Sequence, residues 1–133
     1  MTLEDRIEEE LTLLRRRYPD LEYQEAGRWV RLPEYRLPNG WNHAATDVAF
    51  QILVSYPGTP PYGIYVPAGL TFNGSGPSNY TEPAATQPPF GGTWGVFSWT
   101  VADGQWRPTA DVRSGSNLLN WAIGFADRFR EGV

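Results

Sequence analysis

The sequence contains no cysteine and no lysine, and only one histidine, His43. Without cysteine there is no disulfide framework, no thiolate nucleophile and no Cys-ligated metal. One His among scattered carboxylates lacks the spacing of a metal site, so neither a metal nor another cofactor is expected. The apolar runs are short and interrupted, well below the ~20 residues that span a bilayer, so no membrane association is expected. The first residues, Met1-Thr2-Leu3-Glu4-Asp5, are acidic and unlike a secretory leader. A cytoplasmic location is the resulting expectation. A net charge of -4 and a pI near 4.9 disfavour non-specific binding to nucleic acid.

The absence of lysine leaves all eleven basic residues as Arg. An Arg-biased genome accounts for this. It would also suit a protein that handles acyl groups destined for amines, since only its α-amino group could intercept them.

What is present suits a single globular domain. The chain has 133 residues, 41% of them apolar, with six Trp, seven Tyr and six Phe. That is enough to bury a core without staples. Residues 2–18 read as an amphipathic helix, with Leu3, Ile7, Leu11, Leu14 and Tyr18 at helical spacing. Thr2 is placed to cap it, with Asp5 three residues on, and Pro19 ends it. Strands are expected over 21–25 and 28–35, the second constrained by Pro33. After a loop over 37–45, residues 47–55 form the clearest strand, with Val48, Phe50, Ile52 and Val54 on one face. A turn over 56–61 leads to a fourth strand over 62–72, interrupted by Pro67.

Residues 73–92, rich in Gly, Pro, Ser and Thr, read as a long irregular loop. Residues 93–101 have extended character, 102–104 form a turn, and a helix follows over 115–130, capped by Ser114 or Ser116. The fold class is α+β: an N-terminal helix, a four-stranded antiparallel meander, a long loop and a C-terminal helix.

Three motifs stand in order. Tyr56-Pro57-Gly58-Thr59-Pro60-Pro61 comes first. Asn73 follows Pro61 by twelve residues, and Ser98 precedes Trp106-Arg107-Pro108 by eight. Together they resemble the E2 (ubiquitin-conjugating, UBC) fold. That family has a Tyr-Pro-x-x-Pro-Pro turn between the third and fourth strands, then a His-Pro-Asn motif. Its catalytic Cys lies eight residues before Trp-x-Pro. Here Thr71-Phe72-Asn73 retains only the Asn, and Ser98 occupies the cysteine position.

The run Leu37-Pro38-Asn39-Gly40-Trp41-Asn42 resembles the bacterial E2-like proteins called prokaryotic E2 family E. Relative to eukaryotic members, 25 positions separate Asn73 from Ser98, and the last two helices of the fold are missing. The resemblance implies partners: an E1-like adenylating enzyme and a ubiquitin-like protein. It also implies a reaction, in which Ser98 accepts the ubiquitin-like C-terminus as an oxyester and passes it to a target. The E1-like partner would meet the first helix at Arg15 and Arg16, and partners would also meet the Pro57–Thr59 turn. A non-catalytic E2-variant adaptor is the alternative, supported by the missing Cys and His-Pro.

A serine hydroxyl needs a base or a charge-stabilising pocket to act as a nucleophile. His43, in the loop before the third strand, is the expected base, with Asp47 or Asp103 either orienting it or acting alone. The Asn73 amide is an expected oxyanion donor, a role whose loss costs ~10²–10³ in rate. Each residue has a plainer reading. Asn73 before Gly74 is turn chemistry in its own right. Ser98 can be a strand serine, with Thr93 or Thr100 as the nearby hydroxyl instead, and His43 a surface histidine. Trp94, Trp99, Trp106 and Trp121 suit either a glycan-binding face or core packing.

Overall fold

The structure, a computed structural model, describes residues 2–100 and 105–131. It is α+β: helix α1 (Leu3–Arg17), an antiparallel sheet and helix α2 (Leu118–Glu131). Among the described residues no helix is long and apolar enough to cross a membrane.

α1 begins where the sequence places it. Thr2 Oγ1 accepts the Asp5 N–H at 3.1 Å, and Asp5 Oδ2 accepts the Thr2 N–H at 3.1 Å. These two bonds form a reciprocal capping box. The bond from the Thr2 backbone N–H is the leading cause holding the Asp5 carboxyl below its usual range. α2 begins later than expected, and neither Ser114 nor Ser116 caps it. Asn117 Oδ1 accepts the Asn120 N–H at 2.8 Å, the N-cap bond, while Asn117 Nδ2 holds the Val112 carbonyl.

The sheet has six strands, not four. They are β1 (Glu22–Gln24), β2 (Trp29–Arg36), β3 (Ala45–Gln51), β4 (Ile64–Pro67), β5 (Tyr80–Thr81) and β6 (Trp94–Phe97), in the order β1-β2-β3-β4-β6-β5. The first four form the expected meander. Of the extra two, β5 lies in the stretch read as a loop, and β6 in the segment read as extended but not assigned to the sheet. β6 pairs antiparallel with β4, aligning Ile64 with Phe97 and Pro67 with Trp94. β5 then pairs with β6 from the other side.

The stretch over 73–92 is therefore not simply irregular. Gln87 holds the Trp94 backbone from both sides, donating to its carbonyl and accepting its N–H. The Ala84 N–H bonds the same carbonyl at 2.8 Å. Tyr80 crosses β6 to reach Glu82 with a 2.7 Å bond. That crossing is why β6 carries Gly95, where a Cβ would run into the Tyr80 ring.

One sheet face packs on both helices. Val30, Leu32, Val48, Phe50, Ile64, Val66 and Phe97 are buried against Ile7, Leu11 and Leu14 of α1 and Trp121, Phe125 and Phe129 of α2. The expected face of Val48, Phe50 and Ile52 is buried, but Val54 is 84% exposed. β3 ends at Gln51, and the chain turns, with the Tyr56 N–H bonding the Leu53 carbonyl. The opposite face carries Trp29, Ala49 and Trp94, covered by Tyr65 and Phe90. Phe90 belongs to the 73–92 stretch, which thus folds back over the outer face.

Candidate functional site

The two turn motifs of the sequence meet in space. Trp106 Nε1–H donates to the Pro57 carbonyl at 2.7 Å, and the Trp106 ring lies 5.9 Å from Tyr56. Behind them sits Glu10, 1% exposed although charged. Its Oε1 accepts from Tyr56 Oη and from the Leu118 N–H, both at 2.6 Å, and its Oε2 accepts from Arg6 Nε at 2.8 Å. Arg6 Nη1 reaches the Thr109 carbonyl at 2.6 Å. One carboxylate thus ties α1, the Tyr56 turn, the segment after Pro108 and the positive end of α2. Burial, then the Glu10 carboxylate, push the Tyr56 phenol far above its ordinary range.

Ser98 follows β6 and is exposed. Its N–H is fixed to the Asn79 carbonyl at 2.8 Å. Its Oγ lies 2.8 Å from Tyr62 Oη. Tyr62 is 54% exposed and stands just before β4, where the Gly63 N–H bonds the Trp99 carbonyl at 2.9 Å. Gly63 has φ +80°, and a Cβ there would meet Val96 Cγ2 at 2.9 Å, so this approach of β4 to β6 requires glycine. Tyr65 stands two residues after Gly63; burial, then Tyr62, raise its phenol above the ordinary range.

His43 and Asn73 are elsewhere. The loop before β3 meets the chain after β4: the Asn73 N–H bonds the Gly40 carbonyl at 2.7 Å, and the Asn42 N–H bonds that of Thr71. His43 lines a cavity of about 310 Å³ with Glu34, Asp47, Pro67, Ala68 and Leu70. That is the Pro67 end of β4, whereas Ser98 lies beyond its Ile64 end. Three residue steps at ~3.3 Å put about 10 Å of strand between the two ends. The antiparallel pairing of β6 with β4 is the physical reason, and it removes His43 as the base for Ser98.

Asp47 is occupied as well, accepting the Glu34 N–H and pairing with Arg31 at 3.3 Å. Asp103, the other expected orienter, lies outside the described residues. Asn73 and Gly74 have φ of 49° and 82°. Phe72 and Ser75 exchange two 2.9 Å backbone bonds around them. This is the two-residue Asn-Gly hairpin turn, so the turn reading of Asn73 holds.

The other predicted positions are surface features. Arg15 and Arg16 are exposed at the end of α1. Thr59 is exposed and bonds Ser55 through both backbone and side chain. The Pro57 carbonyl is used internally by Trp106. Thr93 is exposed, and Thr100 lines a cavity of about 810 Å³ with Trp99, Trp106 and Trp121 on the helix side. Trp94 sits with Trp29 on the opposite face, so the four tryptophans share no single face. Among the described residues no group of three or more carboxylates and histidines is placed to hold a metal.

Sequence reasoning missed Tyr62 and the Arg6–Glu10 pair. The second left a signal: both charges fall on the apolar face of α1, between Leu3 and Leu14. Tyr62 left none until β6 was paired with β4.

No family model, curated protein or solved structure matches this chain. The site is accordingly read from its own geometry.

Proposed function

We propose that this protein is an E2-like carrier in a ubiquitin-like conjugation pathway. It takes the C-terminus of a ubiquitin-like protein from an E1-like enzyme as an oxyester on Ser98 and passes it to an amine. The supporting observation is the exposed Ser98 Oγ, held 2.8 Å from a second hydroxyl at the end of the strand that leads to Trp106-Arg107-Pro108. ATP is spent by the E1-like partner, so the carrier needs no cofactor. Arg15 and Arg16 at the end of α1, with Pro57 and Thr59 in the turn, are the proposed contacts for that partner.

One observation favours a second reading, the non-catalytic adaptor: no histidine or carboxylate bonds Ser98 among the described residues. The two readings separate by intact mass. The protein is mixed with an E1-like enzyme, a ubiquitin-like protein and ATP, alongside Ser98→Ala. The carrier reading predicts an adduct that survives thiol reductants, yields to hydroxylamine and is absent from the variant. A stable complex without an adduct would support the adaptor.

A further inference from the structure

An oxyester on serine poses a problem that a thioester does not. A thiolate departs unaided, whereas a serine alkoxide departs only as it gains a proton. His43 and Asp47 are at the far end of β4, so the proton must come from a group beside Ser98. Among the described residues Tyr62 Oη is such a group, 2.8 Å from Ser98 Oγ. Both hydroxyls donate and accept, so the bond runs in either direction.

We infer that Tyr62 is the acid–base partner of Ser98, taking its proton as the ester forms and returning one as the ester is discharged. The inference rests on the carrier reading of Ser98. In acylation by a peptide thioester, the Ser98 Oγ–C bond forms and the C–S bond breaks. The Ser98 proton passes to Tyr62 Oη while Tyr62 gives its own to water, and the thiolate departs unaided. In discharge, the amine nitrogen bonds the carbonyl carbon and the C–Oγ bond breaks. Tyr62 protonates the departing Oγ and regains a proton from the amine. No proton is created or lost, and no oxidant or metal is needed.

The placement supports the role. Gly63 brings the start of β4 against β6, and the Gly63–Trp99 and Ser98–Asn79 backbone bonds fix both hydroxyl-bearing residues. Tyr62 remains half exposed, so an incoming acyl group and amine can reach the pair. Its exposure also means that Tyr62→Phe removes one oxygen without opening the core.

The test compares two leaving groups. Wild type and Tyr62→Phe are loaded, from a short peptide thioester or from the E1-like enzyme with ATP, and ester discharge to hydroxylamine is followed by mass. The same comparison is made in a Ser98→Cys background, where the leaving group is a thiolate. Loss of a proton-transfer group predicts about 10²-fold slower discharge of the serine ester. In the Ser98→Cys background the same change should slow discharge by no more than about threefold, because thiolate departure needs no acid. Equal slowing in both backgrounds would mean that Tyr62 only shapes the surface, and would overturn the inference. Unchanged discharge of the serine ester would overturn it too, with Ser98 still the acceptor. Failure of wild type to load from either donor would instead remove the carrier reading itself, and the role of Tyr62 with it.

Discussion

Replacing Glu10 by Ala should be among the most damaging single changes in this protein. The carboxylate has no exposed side-chain surface, and its Arg6 partner is 8% exposed, so solvent screens neither. Removal strands three donors at once: the Arg6 Nε–H, the Tyr56 hydroxyl and the Leu118 N–H. Breaking a buried ion pair by deleting one partner costs about 3–5 kcal/mol, mostly because the other charge stays buried and unpaired. Arg6 Nη2 already lacks a hydrogen-bond partner among the described residues, which leaves little room for compensation. Domains are stable by about 5–15 kcal/mol, so the loss is a large share of the total. Urea unfolding followed by tryptophan fluorescence should show the midpoint falling with the slope unchanged. The double variant Arg6→Ala, Glu10→Ala should be less damaged than the sum of the singles, since it leaves no stranded charge. A loss below about 1 kcal/mol for Glu10→Ala would refute the network as an organising element.

Other outcomes follow from the same geometry. His43→Ala should leave acyl loading within about twofold of wild type, because His43 lies at the wrong end of β4; a loss near the ~10² of a missing general base would restore it to the site. Asn73→Ala should instead cost about 1 kcal/mol in urea unfolding, since alanine tolerates the left-handed φ of 49° poorly. The buried Tyr56 and Tyr35 phenols and the partly buried Tyr80 phenol are all raised, chiefly by burial. A raised folded-state pKa contributes stability that is complete below the unfolded phenol value near ~10 and is lost as pH climbs above it. Unfolding midpoints should therefore fall above that pH, and Tyr56→Phe should blunt the fall; a flat alkaline profile would contradict it. Gly95→Ala should displace the Tyr80 ring from over β6, seen as faster amide exchange across β5 and β6.

The elements that were legible are those set by local rules. The Thr2 cap, the apolar face of α1 and the Asn73-Gly74 turn each rest on a few adjacent residues, and all three formed as expected. β5 and β6 were not legible as sheet strands. Tyr80–Thr81 is too short to carry a period, and Trp94–Phe97 contains Gly95, a residue that weakens a strand unless a neighbour needs the space. Residues 93–101 read as extended, but leaving β6 unpaired also misplaced the site. A serine at the end of an unpaired segment can be imagined beside any loop. Once Phe97 faces Ile64, Ser98 must lie near Tyr62 and away from His43. The partners of Ser98 thus depended on one long-range pairing that no local pattern encodes.

Locating the acyl group itself is the decisive measurement. After incubation with an E1-like enzyme, a ubiquitin-like protein and ATP, the protein is digested and the modified peptide fragmented in the mass spectrometer. The carrier reading predicts the acyl mass on Ser98 as a hydroxylamine-labile ester. An acyl group on the α-amine or on another hydroxyl, or no modification while the proteins still bind, would contradict it.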